Sequence, residues 1–69
     1  MKILLKQHAT GLWLQSGGLW GPNTINAREF ASSEEAISFS EHSHRAPLNL
    51  CFRFEDKGLN FEMPAVRAT

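Results

Sequence analysis

Residues 48–63, LNLCFRFEDKGLNFEM, carry the pattern that decides the fold. Large apolar side chains occupy every second position of the first part, at Leu48, Leu50, Phe52 and Phe54. After a polar turn at residues 55–58, the alternation resumes at Leu59, Phe61 and Met63. Because side chains along a strand point alternately to opposite faces, this stretch predicts a β-hairpin with one apolar face and one mixed face.

A second, shorter hairpin is predicted near the start of the chain. Residues 2–7 read KILLKQ, which places Ile3 and Leu5 on one face of a strand and Leu4 on the other. Gly11 suits the turn. Residues 12–15 then return as a second strand, with Trp13 on the face opposite its two leucine neighbours.

The segment between the hairpins predicts a loop followed by one helix. Residues 16–26, SGGLWGPNTIN, read as a loop whose apolar side chains fold back on the core. Residues 27–30 fit either a short helical turn or a brief third strand. Ser32 and Glu35 form the S-x-x-E capping box of a helix that should run to His42 or His44.

We therefore predict a small α+β domain in the order β-β-α-β-β. One antiparallel four-stranded sheet, built from two hairpins, would carry one α-helix on one face. The domain would span residues 1–64, with a C-terminal tail at 65–69. The predicted core, to which Trp20 is a further candidate, is Ile3, Leu5, Leu12, Leu14, Phe30, Ala36, Ile37, Phe39, Leu48, Leu50, Phe52, Phe54, Leu59 and Phe61.

Length and cysteine content limit the class of protein. A chain of 69 residues makes one domain that is marginally stable alone, so we expect a compact monomer or a homodimer that shares apolar surface. The single cysteine, Cys51, excludes a disulfide within the chain and fits a reducing compartment. Targeting signals and runs of about 20 apolar residues are missing, which favours a cytoplasmic location and no membrane contact.

The charge balance and the sequence motifs give little support to nucleic-acid binding, metal binding or catalysis. Seven basic residues balance seven acidic ones, whereas nucleic-acid-binding domains usually have a basic excess. His42 and His44 point about 200° apart on a helix, and with Cys51 they lack the spacing of a zinc site. Cys51 lies in mid-strand, and the glycines match no phosphate-binding loop. We expect no enzyme activity, cofactor, metal site or small-molecule substrate.

The tryptophans are the strongest candidates for contact with a partner. Trp13 should leave the helix-covered face and share the other face with residues such as Leu4 and Arg53. The candidate partner-binding residues are Trp13, Leu4, Arg53 and Trp20. Core packing is the competing interpretation for both tryptophans.

A longer pattern resembles a group of small uncharacterised bacterial proteins. It comprises GLWL at residues 11–14, followed by Trp20, Asn23, Ala27, Phe30, Ser33, Glu35, Ala36 and Phe39. The alternating strand at residues 48–54 and Pro64 complete it. The resemblance implies a β-β-α-β-β domain and a bacterial origin, and it transfers no functional residue.

Three functional hypotheses follow, in decreasing order of support. The first is a non-enzymatic interaction module that binds a protein partner or itself through Trp13 and the outer sheet face. The second is a nucleic-acid-binding domain in which Arg53 and Trp13 contact phosphate and base. The third is an enzyme or metal protein built around Cys51 and the histidines.

Overall fold

The computed structural model describes residues 1–43 and 47–66. In this part of the chain, five strands and one α-helix follow one another as β1 (Lys2–Gln7), β2 (Trp13–Leu14), β3 (Trp20–Gly21), α1 (Ser33–Ser43), β4 (Leu48–Phe54) and β5 (Leu59–Pro64). The strands form one antiparallel sheet in the order β3-β2-β1-β4-β5. The predicted α+β class, with one helix and an antiparallel sheet, is confirmed.

The predicted number of strands is wrong, because β3 lies inside the predicted loop. Trp20 pairs with Leu14 and Gly21 pairs with Trp13. Ala27 adds an isolated bridge to Gln15, so the segment after the loop is bridged to the sheet rather than helical. A strand of two residues is too short to show alternation, so no periodic pattern predicts it.

The helix begins as its sequence predicts. The Ser32 hydroxyl accepts a hydrogen bond from the backbone N–H of Glu35 at 3.1 Å. The described part of the helix reaches Ser43, and the His42 ring lies 2.8 Å from the Ser38 carbonyl oxygen. His44, the alternative predicted end, lies outside the described residues. None of the helical segments in the described ranges has the length and apolar character that crossing a bilayer demands.

The core lies between the helix and the two central strands. Helix α1 packs chiefly on β1 and β4, and Ala36 is fully buried where the helix meets the sheet. The Arg28 guanidinium stacks near the rings of Phe30 and Phe39, 4.9 and 5.1 Å from their centroids. The buried cluster consists of Ile3, Leu5, Leu14, Phe30, Ala36, Leu48, Leu50 and Ala65, with Trp20, Ile37, Phe39 and Phe52 packed against it.

Four predicted core residues lie outside the core cluster: Leu12 and Phe54, which are partly buried, and Leu59 and Phe61, which are exposed. Leu59 is 48% exposed and Phe61 is 57% exposed, and Met63 on the same face is 51% exposed. The alternation of β5 is as predicted, but the helix lies over β1 and β4 and leaves this outermost strand at its margin. The alternating pattern predicted the sheet face on which each side chain lies, but it did not predict which strands the helix covers.

The end of the described chain continues the sheet. Ala65, which the sequence places in the tail, is buried and donates its backbone N–H to the Leu48 carbonyl oxygen at 2.8 Å. Residues 67–69, the rest of the predicted tail, lie outside the described ranges.

Candidate functional site

The sheet face opposite the helix, here called the outer face, collects most of the residues predicted to bind a partner. The strand register places Leu4 opposite Cys51 and Lys6 opposite Trp13. It also places Arg53 between Lys2 of β1 and Asn60 of β5. Leu4, Trp13 and Arg53 therefore share one face.

Trp20 does not join them. It is partly buried and packs against the core cluster from the helix side of the sheet. Its neighbour in the ladder is the buried Leu14. The core interpretation of Trp20 agrees with this position, and the residue supports β3 rather than the outer face.

The middle of the outer face is closed. Leu4 has 1% of its surface exposed and Cys51 has 3%. Trp13 is half-buried, and the Lys6 ammonium lies 5.3 Å from its ring centroid, within range of a cation–π contact. Leu4 consequently supports this face from beneath, and a partner could reach it only after the neighbouring side chains moved.

Residues 22–26, between β3 and the bridge at Ala27, cross part of the outer face. The Arg53 guanidinium donates to the Thr24 hydroxyl at 2.6 Å and to the Asn60 side-chain carbonyl at 3.3 Å. The Gln15 side-chain amide donates to the carbonyl oxygens of Trp13 and Asn23, at 3.1 and 3.0 Å. These bonds hold the crossing segment against the sheet and leave a cleft of about 320 Å³ above Cys51.

A close approach at Gly21 allows the Gln15 side chain to take this position. A Cβ at residue 21 would lie 3.1 Å from the Gln15 side-chain amide, closer than ordinary van der Waals contact. Glycine at this point therefore lets the amide lie flat across β3. The link between Gln15 and Asn23 depends on that space.

Cys51 is poorly suited to nucleophilic chemistry. Burial, and secondarily the negative charge of Glu62, raise the pKa of its thiol above the ordinary value. The thiol is therefore neutral near pH 7, whereas the thiolate is the reactive form. Among the described residues, no three histidine, cysteine or acidic side chains are grouped so that they could hold a metal ion.

The cations of the outer face have partners. Lys2 pairs with Glu55 at 2.7 Å, and Lys6 pairs with Glu62 at 3.3 Å. The Asn49 amide also donates to Glu62 at 2.8 Å, and this bond, with help from Lys6, lowers the pKa of the Glu62 carboxyl. In the same way, the hydrogen bond and charge of Lys2 lower the pKa of Glu55. The face is a network of paired charges around a closed centre.

A second surface was missed by the sequence analysis. Leu59, Phe61 and Met63 project on the helix side of β5, each about half exposed, and we call these three residues the β5 strip. Phe61 meets the half-buried Phe54 edge to face, with ring centroids 5.8 Å apart and planes at 88°. A usable signal existed in the sequence. The predicted helix has a short apolar stripe, which cannot cover four strands.

Comparisons of this chain with protein-family models, curated proteins and solved structures gave no match. The resemblance to small bacterial proteins therefore stays a prediction. Functional inference rests on the two surfaces described above.

Proposed function

We propose that this chain is a small, non-enzymatic interaction module that binds a protein partner through the β5 strip. The observation that carries the proposal is the exposure of Leu59, Phe61 and Met63, side by side on one face of an edge strand. Contiguous apolar surface of this kind on a small domain is typical of an interaction site.

Burial of the strip would supply part of the free energy of a contact with a partner. Full burial of one large apolar side chain contributes about 1.5–3 kcal/mol. Each side chain of the strip is about half exposed, so covering all three would contribute about 3 kcal/mol. Backbone groups on the free edge of β5 can add hydrogen bonds to an incoming strand.

The outer face supports partner binding less well, although the sequence favoured it. Leu4 is buried, and Trp13 lies partly under Lys6. Arg53 is engaged by Thr24 and Asn60. These contacts give the outer face a structural role, and we move the proposed interaction site from Trp13 to the β5 strip.

The same contacts weaken the nucleic-acid hypothesis. A phosphate that bound Lys2 or Lys6 would compete with the carboxylates of Glu55 and Glu62, which already pair with these lysines. Strong nucleic-acid binding usually draws on several uncommitted cations. The apolar character of the β5 strip suits a protein better than a polyanion.

Site-specific photocrosslinking of the full chain in its native host tests the proposal. A photoreactive amino acid at Leu59, which is exposed, should give covalent adducts with protein. The matched control carries the same group at Ser16, which is exposed in the loop between β2 and β3. Adding Phe61→Ser to the Leu59 probe should reduce adduct formation several-fold. Equal adduct yields from residues 59 and 16 would overturn the proposal.

A further inference from the structure

Among the described residues no strand pairs with the outer edge of β5, and this free edge has a defined set of outward-pointing backbone groups. The bond from the Ala65 N–H to the Leu48 carbonyl extends the ladder in which Asn49 faces Pro64. In an antiparallel ladder, hydrogen-bonded pairs alternate with non-hydrogen-bonded pairs. The backbone groups of the β5 strip therefore point to β4, whereas those of Asn60 and Glu62 point away from the sheet.

Pro64 limits this edge at one end. Its carbonyl points outward with those of Asn60 and Glu62, but proline has no N–H to donate. At the other end, the Gly58 N–H already donates to the Glu55 carbonyl, at 3.3 Å. Residues 59–63 are therefore the part of the edge that can form a complete ladder with another strand.

We propose that the partner of β5 is β5 of a second copy of this chain, paired antiparallel about a two-fold axis at Phe61. The proposal rests on the proposed function, since it names the protein that covers the β5 strip. In this register Asn60 faces Glu62 of the second copy, so the outward N–H and C=O groups of both residues are satisfied. The two five-stranded sheets would become one continuous sheet.

The side chains select this register. On the helix side, Phe61 faces Phe61 of the second copy, and Leu59 faces Met63, so every cross-strand pair is apolar. On the outer face, the Asn60 side-chain oxygen accepts a hydrogen bond from Arg53. The side-chain N–H groups of Asn60 can then donate to Glu62 of the second copy.

The neighbouring register with its axis at Glu62 is disfavoured by charge. An axis at Glu62 would place the two Glu62 carboxylates directly opposite each other, and like charges in that position are destabilising. It would also place Pro64 opposite Asn60, and each of these pairs would lack one hydrogen bond because proline has no backbone N–H. The axis at Phe61 avoids both costs.

Charge-swapped variants of the full chain test the register. Because Phe61 faces its own copy, Phe61→Lys alone and Phe61→Glu alone should each weaken self-association at least tenfold. A mixture of the two variants should restore association, because each lysine then faces a glutamate. Sedimentation equilibrium over micromolar to millimolar protein measures both effects. The matched control is the swap at Ser16, an exposed loop residue, which should change nothing.

Cross-linking gives an independent reading of the same geometry. In a Cys51→Ala background, the double variant L59C/M63C should form a disulfide-linked dimer on mild oxidation, because these residues face each other across the axis. Glu62→Cys in that background should not. A wild-type chain that stays monomeric at millimolar concentration, or a dimer that cross-links through residue 62, would overturn the inference. Photoadducts of Leu59 with a different protein would then leave the proposed function standing.

Discussion

The guanidinium of Arg53 reaches the hydroxyl of Thr24 across the outer face of the sheet, at 2.6 Å. Arg53 lies on β4, and Thr24 belongs to the segment that follows β3, so the bond joins the second strand from one edge to a loop from the other edge. Together with the bond from Gln15 to Asn23, it holds residues 22–26 against the sheet, and both Arg53 and Thr24 line the cleft above Cys51.

A double-mutant cycle measures the strength of this tether. Thr24→Val and Arg53→Met should each destabilise the fold, and the pair should show a coupling of about 1 kcal/mol, because the bond involves a charged donor and is partly buried. Urea unfolding gives the four free energies. The control cycle joins Thr10→Val to Arg53→Met, and it should be additive because Thr10 lies in the turn beyond the opposite end of β1. A Thr24–Arg53 coupling near zero would contradict the assigned role.

The position of the helix predicts a contrast between two leucines of the same hairpin. Leu50→Ala should lower the free energy of unfolding by about 2–5 kcal/mol, because Leu50 is buried in the core cluster. Leu59→Ala should cost less than about 1 kcal/mol in dilute protein, since Leu59 is half exposed. Urea unfolding of the two variants checks this, and equal losses would show that β5 is covered as fully as β4.

Burial of Cys51 predicts slow thiol chemistry in the folded protein. The raised pKa keeps the thiol of Cys51 neutral to a higher pH than that of an ordinary cysteine, so less of the reactive thiolate is present at a given pH. Reaction with an aromatic disulfide reagent at pH 8 should be at least about tenfold slower in buffer than in urea, because it requires opening of the outer face. Ser16→Cys in a Cys51→Ala background provides an exposed thiol that should react equally fast in both. Fast reaction of native Cys51 would contradict the closed centre.

The carboxyl of Glu62 predicts a loss of stability in acid. Its pKa in the folded protein is lowered from the ordinary 4.5, first by the hydrogen bond from Asn49. A lowered pKa stabilises the fold fully above 4.5, and this contribution is lost as the pH falls through the folded-state value. Glu62→Gln should therefore be less stable than wild type at pH 7, with a difference that shrinks below pH 4.5.

Unfolding in urea at several pH values between neutrality and acid follows that difference. Asp56→Asn, in the exposed turn between β4 and β5, serves as the matched removal of one carboxylate. If the stability difference between Glu62→Gln and wild type stayed constant into acid, the contacts with Asn49 and Lys6 would not depend on the negative charge of Glu62.

Local patterns in the sequence predicted the elements whose signals are periodic. The alternation at residues 48–54 and 59–63 gave the β4–β5 hairpin and the faces of its side chains. The S-x-x-E box gave the helix start at Ser32, since a cap needs only residues three apart. The predicted grouping of Leu4, Trp13 and Arg53 on one face followed from the same period of two.

What the sequence could not provide is which element lies above which strand. Leu59 and Phe61 carry the same pattern as Leu50 and Phe52, yet only the second pair lies under or beside the helix. The burial of Leu4 was likewise not predicted, and the outer face carries contacts between residues far apart in sequence, such as Arg53 and Thr24. Such long-range packing leaves no short-range pattern, so the exposed β5 strip was not found from the sequence.

The two borders of this sheet are very unequal, and that sets the size of any assembly. At one border lies β3, only two residues long, which gives an added strand almost no ladder to extend. If two chains pair through β5, both β5 edges lie at the two-fold axis, and the outer edges of the joined sheet are the two short β3 strands. Growth then ends with two chains, and a fibre has no place to start.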